Sequence, residues 1–382
     1  MPRIGLVYPV KHPIAAANWS GAPLGLSDGL TRCGAQVIPI GVNLSNVVRY
    51  GVAALSRGTG LHGPRMPRNA LYVATRTSAL AREIRRAGEL AAVIALCTER
   101  YNLERAVGRE CRVATYDDGT FASFARHEDS DVRQEGYPVK SVKKWADLQA
   151  RACRRADACC TSTRWALSSV IADYKVAEGK AHVVGMGHRP RANNSERDWS
   201  TPRFLFVGVD WGRKNGAAVV RAFQNIRQEL PGATLDLVGR HPLINVPGVT
   251  GHGFLPREDA AAQAKLDQLY ARSTVFVLPS LFDPSPISYL EAASAGLPVI
   301  ATTEGGASEL LGEAALTVRP QDGKGLADAM RQLADPVTAK QMGQKGVQRA
   351  AESTWEAVAA RILAALGVVA NPGENAPTPE TA

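Results

Sequence analysis

Long apolar runs are missing from this chain. Apolar runs such as Val275–Leu278 and Pro298–Ala301 are far shorter than the roughly 20 residues a membrane-crossing helix requires. The start, MPRIGLVYPVKHP, lacks the apolar segment of a secretory leader and reads as a first β-strand, so a cytoplasmic protein without an integral membrane segment is expected. Cysteine is sparse: six occur in 382 residues, none in a C-x-x-C pair. Adjacent Cys159 and Cys160 would make a poor disulfide and a poor metal pair, so free thiols are expected and no metal is assigned. Aromatics make up only 6% and are not interleaved with the basic clusters at Arg82–Arg86 and Lys140–Lys144. With no nucleic-acid motif present, the net charge of +9 is not read as a nucleic-acid footprint. An anionic donor, an anionic acceptor or peripheral contact at the inner membrane face suits the basic excess. Walker loops, zinc motifs and nucleophile elbows are also lacking. The single Asp-x-Asp, Asp129-Ser130-Asp131, sits in a polar stretch with no strand leading into it, which argues against a metal-diphosphate role.

What is present is the alternation of strands and helices expected of doubly wound α/β sheets, over a length that implies two domains. Strands are predicted at Arg3–Val10, Gln36–Ile40, Leu71–Ala74, Ala91–Ala95, Arg112–Thr115 and Ala158–Thr161. Helices are predicted from about Leu24 to Cys33 and from Ser141 to Ala156. Residues 50–69 have no periodicity and form a candidate acceptor loop. The polar, Pro-flanked run Arg189–Pro202 is the best domain boundary. A second sheet starts at Phe204–Gly208. The helix after it carries Val219, Phe223, Ile226 and Leu230 at helical spacing, and Thr234–Val238 follows as a strand. The division expected is 1–190, a linker at 191–202, a second domain at 203–350, a final amphipathic helix at 351–368 and a disordered tail at 369–382.

The most informative segment is VFVLPSLFDPSPISYLEAASAGLPVIAT, residues 275–302. It reads as strand, Pro-rich loop, helix and strand, with Asp283 ahead of the helix and Glu291 on it. A helix N-terminus near Ser285 to Ile287 offers amides and a positive dipole end to an anion. Taken alone, a capping acid with a solvated helix glutamate explains the pattern as well as a ligand site does.

The segment resembles the donor-site signature of retaining glycosyltransferases of family 4 and the GT-B fold. In that family Glu, seven residues and Glu precede a Gly-x-Pro-Val-Ile strand. Here Asp283 replaces the first Glu, one methylene shorter, and Glu291 follows within Leu290-Glu291-Ala292. The similarity extends through Thr303–Glu309 to Val318–Asp322. The resemblance implies two Rossmann-like domains with an interdomain cleft and a C-terminal helix crossing back to the first domain. It also implies a UDP- or GDP-sugar donor with no cofactor or metal. Glu291 would take ribose hydroxyls and Asp283 donor-sugar hydroxyls, while amides of Pro284, Ser285, Pro286 and Ile287 and of the Gly21-Ala22 pair hold phosphate and sugar.

In Gly208-Val209-Asp210-Trp211-Gly212-Arg213-Lys214, Lys214 matches the family lysine. The family arginine position holds Val209, so Arg213 is expected to replace its charge. Gly253, in Gly251–Pro256, resembles the loop that reads the nucleobase, and Arg240 would line the same pocket. Asp118, or its neighbour Asp117, would orient an acceptor group, with an acidic turn as the equal alternative; His188 has no assigned role. The implied reaction is retaining sugar transfer to a small molecule or specialised metabolite. A glycan or lipid-linked acceptor, a GT-B nucleotide-sugar epimerase and a non-catalytic nucleotide-sugar binder are the alternatives. A homo-oligomer is compatible with the sequence.

Overall fold

In the computed structural model, residues 1–42, 44, 51, 70–108, 111–192 and 196–370 are described. The chain divides into two compact units. The first comprises Met1–Glu128, Val132–Gly185 and the segment from Trp355 onward; the second comprises Asp129–Asp131 and Met186–Thr354.

The first unit is built on six parallel strands: β1 (Arg3–Val7), β2 (Gln36–Ile40), β3 (Ala92–Ala95), β4 (Arg112–Asp117), β5 (Ala158–Thr161) and β6 (Ala181–Val183). Their order is β2-β1-β3-β4-β5-β6. β3 and β5 are buried at every position, as a sheet covered by helices on both faces requires. One face packs Val7, Leu80, Val93, Val113 and Cys159; the other packs Ile4, Leu6, Leu26, Ile94 and Tyr116 against Val358 and Ile362. The last two lie on the Trp355–Ala365 helix, so the C-terminal helix returns to the first unit. It packs on the Ala22–Arg32 helix, where Gly25 and Gly29 leave room for Trp355: a Cβ on Gly25 would lie 2.2 Å from its indole.

Leu71–Ala74, predicted as a strand, is instead the first turn of a helix, Ala70–Arg86. Its buried positions, Tyr72, Arg76, Thr77, Ala79, Leu80 and Ala81, follow helical spacing. The local β-propensity of Leu-Tyr-Val gives way to that longer period. The candidate acceptor loop at 50–69 lies outside the described residues apart from Gly51, and so does the tail from 371.

The second unit carries β7 (Arg203–Asp210), β8 (Thr234–Arg240), β9 (Val249–Gly251), β10 (Val275–Val277), β11 (Val299–Thr302) and β12 (Ala315–Val318). All are parallel, in the order β12-β11-β10-β7-β8-β9. The order reverses direction between β7 and β10, which pair through Val275↔Phe204 and Phe276↔Leu205. Open α/β sheets bind ligands beyond the carboxyl ends of strands at such a reversal. The helix Gly216–Glu229 buries Val219, Phe223 and Ile226. Arg191 and Arg197, from the segment expected as a linker, are buried within this unit. Arg197 donates to the carbonyls of Tyr270, Ala271, Ala295 and Gly296 and so caps two helix ends. Among the described residues no helix is long and apolar enough to cross a membrane.

Candidate functional site

β7 and β10 end side by side, so the loops leaving them meet. The Leu281 amide donates to the Arg213 carbonyl at 2.8 Å. Asn215, held in a left-handed conformation at the start of the next helix, donates its side-chain amide to the carbonyls of Pro279 (3.2 Å) and Pro320 (2.9 Å). One side chain thereby ties together the loops after β7, β10 and β12.

This junction brings Arg213, Lys214 and Asp283 together. Lys214 Nζ donates to Asp283 Oδ2, which also accepts from Ser280 Oγ at 3.3 Å. Arg213 Nη1 lies 3.8 Å from the same oxygen and donates to the Phe282 carbonyl at 3.2 Å. Arg213 Nε sits 2.7 Å from Asp131 Oδ1, an ion contact without hydrogen-bond alignment. That places one carboxylate of the Asp-x-Asp against a cation of the site. Burial pushes the Lys214 ammonium below the ordinary lysine range; Asp283 opposes this shift and Arg213 adds to it. Gly208 is a packing requirement, since a Cβ there would come within 2.9 Å of Lys214 Cγ.

Downstream, the helix Ile287–Ser294 begins after Pro286. Pro284 and Pro286 have no N–H, so of the four residues expected to offer amides only Ser285 and Ile287 can donate. Tyr289 anchors this helix: its hydroxyl donates to the Leu278 carbonyl at 2.7 Å and accepts from the Thr302 amide at 2.9 Å. The Asp283 loop is backed by Gly305, whose φ of +77° suits glycine. A Cβ there would come 2.3 Å from the Asp283 carbonyl oxygen.

Glu291 is only 1% exposed. Oε1 accepts from Arg257 Nη1 at 3.0 Å. Oε2 lies 3.4 Å from Arg191 Nη2 and accepts from the Tyr270 hydroxyl at 3.4 Å. Burial alone would raise the Glu291 pKa, but Arg257 and Arg191 outweigh it and hold the carboxyl below its ordinary value. Arg191, Arg257, Asn215 and Ser280 were not legible as site residues in the sequence. The only local signal was an arginine inside a polar run and another three positions beyond Phe254.

Arg240 stacks its guanidinium over the Phe254 ring at 5.1 Å, and the Gly253 carbonyl accepts from the Gly239 amide at 2.9 Å. Arg240 and Gly253 therefore share one corner, beyond the ends of β8 and β9. His188 is buried with its Nδ1 on the Ser353 carbonyl at 2.8 Å, and burial lowers its pKa.

In the first unit, Trp19, Ser20 and Gly21 are three consecutive residues in the left-handed region, with φ of 39°, 54° and 87°. Gly21 caps the helix that Ala22 begins. For Trp19 and Ser20 this backbone is costly, and such strain concentrates at ligand-handling loops. Trp19 Nε1 donates to Asp118 Oδ2 at 3.2 Å, which joins the Gly21 loop to the end of β4. Burial, with Glu99 and Asp118 nearby, raises the Asp117 carboxyl well above its ordinary value.

Residues 201–335 match the family model described as Glycosyl transferases group 1. Among curated proteins, glycogen synthase of Mycobacterium tuberculosis is 28% identical over 208 residues, covering 50% of this chain and 46% of that protein. MMP alpha-(1->4)-mannosyltransferase of Mycolicibacterium hassiacum is 25% identical over 239 residues, covering 58% and 57%. The chain thus spans about half the length of the curated relatives it matches. Among solved structures, sucrose-phosphate synthase from Thermosynechococcus elongatus superposes with a TM-score of 0.69 at 18% identity, over 95% of this chain and 97% of that one. WaaG, a glycosyltransferase involved in lipopolysaccharide biosynthesis, superposes at 0.61 and 13%, over 94% and 98%. Two six-stranded parallel sheets place this chain in the GT-B fold, and the second carries the segment, with its Asp283–Glu291 motif, that is similar to the glycosyl transferases of group 1.

Proposed function

We propose that the protein transfers a sugar from a UDP- or GDP-sugar to an acceptor, with retention at the anomeric carbon and without a metal. The observation that carries this reading is the meeting of Lys214, Arg213 and Asp283 at the strand-order reversal of the second sheet. A diphosphate drawn to this corner meets two cations, together with the backbone N–H groups of Ser285 and Ile287 at the start of the Ile287–Ser294 helix. Negative charge grows on the β-phosphate as its bond to the sugar breaks, so these groups stabilise the transition state more than the ground state.

Lys214 and Asp283 neutralise one another in the free site. A diphosphate that draws Lys214 toward itself releases Asp283 oxygens for sugar hydroxyls, which couples phosphate binding to sugar orientation. Retention would follow from attack on the face that the leaving group departs. The C1–O bond to the phosphate breaks, the acceptor oxygen bonds to C1, and its proton passes to the departing phosphate oxygen. Asp118 is suited to orient an acceptor group. The acceptor class we favour is a small molecule or specialised metabolite, an anionic one being compatible with the charge of +9.

Calorimetric titration with UDP and GDP, followed by a transfer assay with the matching sugar nucleotides, tests the reading. Submillimolar binding of one of the two nucleotides and its release from the sugar donor are expected. Binding of neither would overturn it.

A further inference from the structure

The donor reading gives Glu291 to the ribose but leaves the buried partners of its carboxylate unaccounted for. Glu291 is a fully buried carboxylate on a buried helix, and its partners come from two distant parts of the second unit. The two sides differ. On the Oε1 side stands Arg257, in the loop after Gly253, whose side chain is 28% exposed. On the Oε2 side stand Tyr270 and Arg191, and the Arg191 side chain is 1% exposed.

Arg191 is itself held from every direction. Its Nη1 pairs with Asp267, and its Nη2 donates to Gln263 Oε1 at 3.3 Å. Its guanidinium lies 5.2 Å from the Tyr270 ring centroid, and its backbone amide donates to Ser294 Oγ at 2.9 Å. Ser294 Oγ in turn donates to the Glu291 carbonyl at 2.8 Å. Its Nε has no hydrogen-bond partner among the described residues, so the guanidinium is committed through its two terminal nitrogens. Burying an arginine this deeply is costly. A hydrophobic side chain facing a leucine would fill the same space without that penalty. The arrangement gains something specific only if the carboxylate must stay charged and fixed in direction.

We propose that Arg191 is a positioning residue for the donor: it clamps Glu291 through Oε2 and so presents Oε1, on the Arg257 side, to the ribose hydroxyls of the nucleotide. This rests on the donor reading given above. Arg257 covers Oε1 and is the partly exposed member of the cluster. A ribose hydroxyl therefore reaches Oε1 by sharing that oxygen with Arg257 or displacing it. Arg191 touches no donor atom and acts only through the carboxylate.

The test compares UDP and GDP with their 2′,3′-dideoxy forms by calorimetry, on wild-type protein, Arg191→Met, Arg191→Lys, Glu291→Gln and the Arg191→Met/Glu291→Gln double variant. Whichever nucleotide the wild type binds is expected to bind Arg191→Met about tenfold or more weakly, the scale of one charge-assisted hydrogen bond. The dideoxy nucleotide should bind the two proteins within about twofold. Arg191→Lys should recover part of the loss, and Arg191→Met should add nothing in the Glu291→Gln background. A general structural defect would instead weaken both nucleotide forms alike. If Arg191→Met does not fold, Arg191→Lys against the dideoxy pair carries the same comparison, because lysine cannot reproduce the two-nitrogen clamp. Equal losses for both nucleotide forms, or additive losses in the double variant, would overturn the inference while leaving the donor reading intact. If the wild type binds neither UDP nor GDP, the donor reading fails and the inference with it.

Discussion

Lys214→Met separates chemistry from packing at the centre of the site. Lys214 and Asp283 are both largely buried and paired directly, with Ser280 at 3.3 Å and Arg213 at 3.8 Å from the same Asp283 oxygen. Removing one member of a buried pair usually costs about 3–5 kcal/mol, because the remaining charge is stranded. Here Arg213 is close enough to replace part of the lost partner, so a cost near the lower end, about 3 kcal/mol, is expected in denaturant unfolding. Turnover should fall further than stability accounts for. Loss of one preorganised donor to a developing oxyanion costs roughly 10²–10³ in kcat, with a smaller effect on the donor KM. Adding Asp283→Asn removes the stranded charge, so the double variant should regain most of the stability and none of the turnover. The wild-type pH profile supplies a second readout. Burial lowers the Lys214 pKa, so its proton should be lost, and kcat/KM should fall, at a pH below that of an ordinary lysine. The stability term has the opposite sense. Above the lowered value the unfolded chain binds more protons than the folded one, so this residue's destabilising contribution is relieved as pH rises toward about 10.4. Steady-state kinetics and chemical denaturation across pH measure both. A Lys214→Met protein that keeps kcat within threefold of wild type would refute the assignment of Lys214 to the leaving group.

Three further outcomes are expected. Activity should survive EDTA, since Arg213, Lys214 and helix amides are proposed to meet the diphosphate charge; complete loss on chelation, restored by Mn²⁺, would promote Asp129 and Asp131. Gly305→Ala should displace the Asp283 loop, because the new Cβ would lie 2.3 Å from the Asp283 carbonyl oxygen at a positive φ; about 1–3 kcal/mol of stability and most of the turnover should be lost, and an unperturbed variant would show that the loop yields freely. The Glu291 carboxyl is held below its ordinary value by Arg257 and Arg191, so its stabilising contribution is present above about pH 4.3 and lost as pH falls through the lowered folded value; Glu291→Gln should therefore flatten the acid limb of the stability curve, which urea titrations from pH 6 to 3 would detect.

Sequence alone determined what depends on near neighbours. The strand Ala158–Thr161 and the strand Gln36–Ile40 have the predicted bounds, because short apolar runs between breakers depend little on distant contacts. The Asp283–Glu291 spacing, the glycines behind it and the strand–helix alternation were equally legible, and with them the fold class. Leu71–Ala74 was misread because four residues cannot reveal whether the burial period is two or nearly four; the helix to Arg86 decides that. The ionic partners of the site lay beyond reach for a different reason. Glu291 finds Arg257 34 positions upstream, and Arg191 hydrogen-bonds to Ser294 103 positions away. A charged side chain in a polar run looks solvated until the chain folds. Only the tertiary structure turned Arg191 into a buried counter-ion, because a carboxylate taken out of water must find its cations wherever the fold can deliver them.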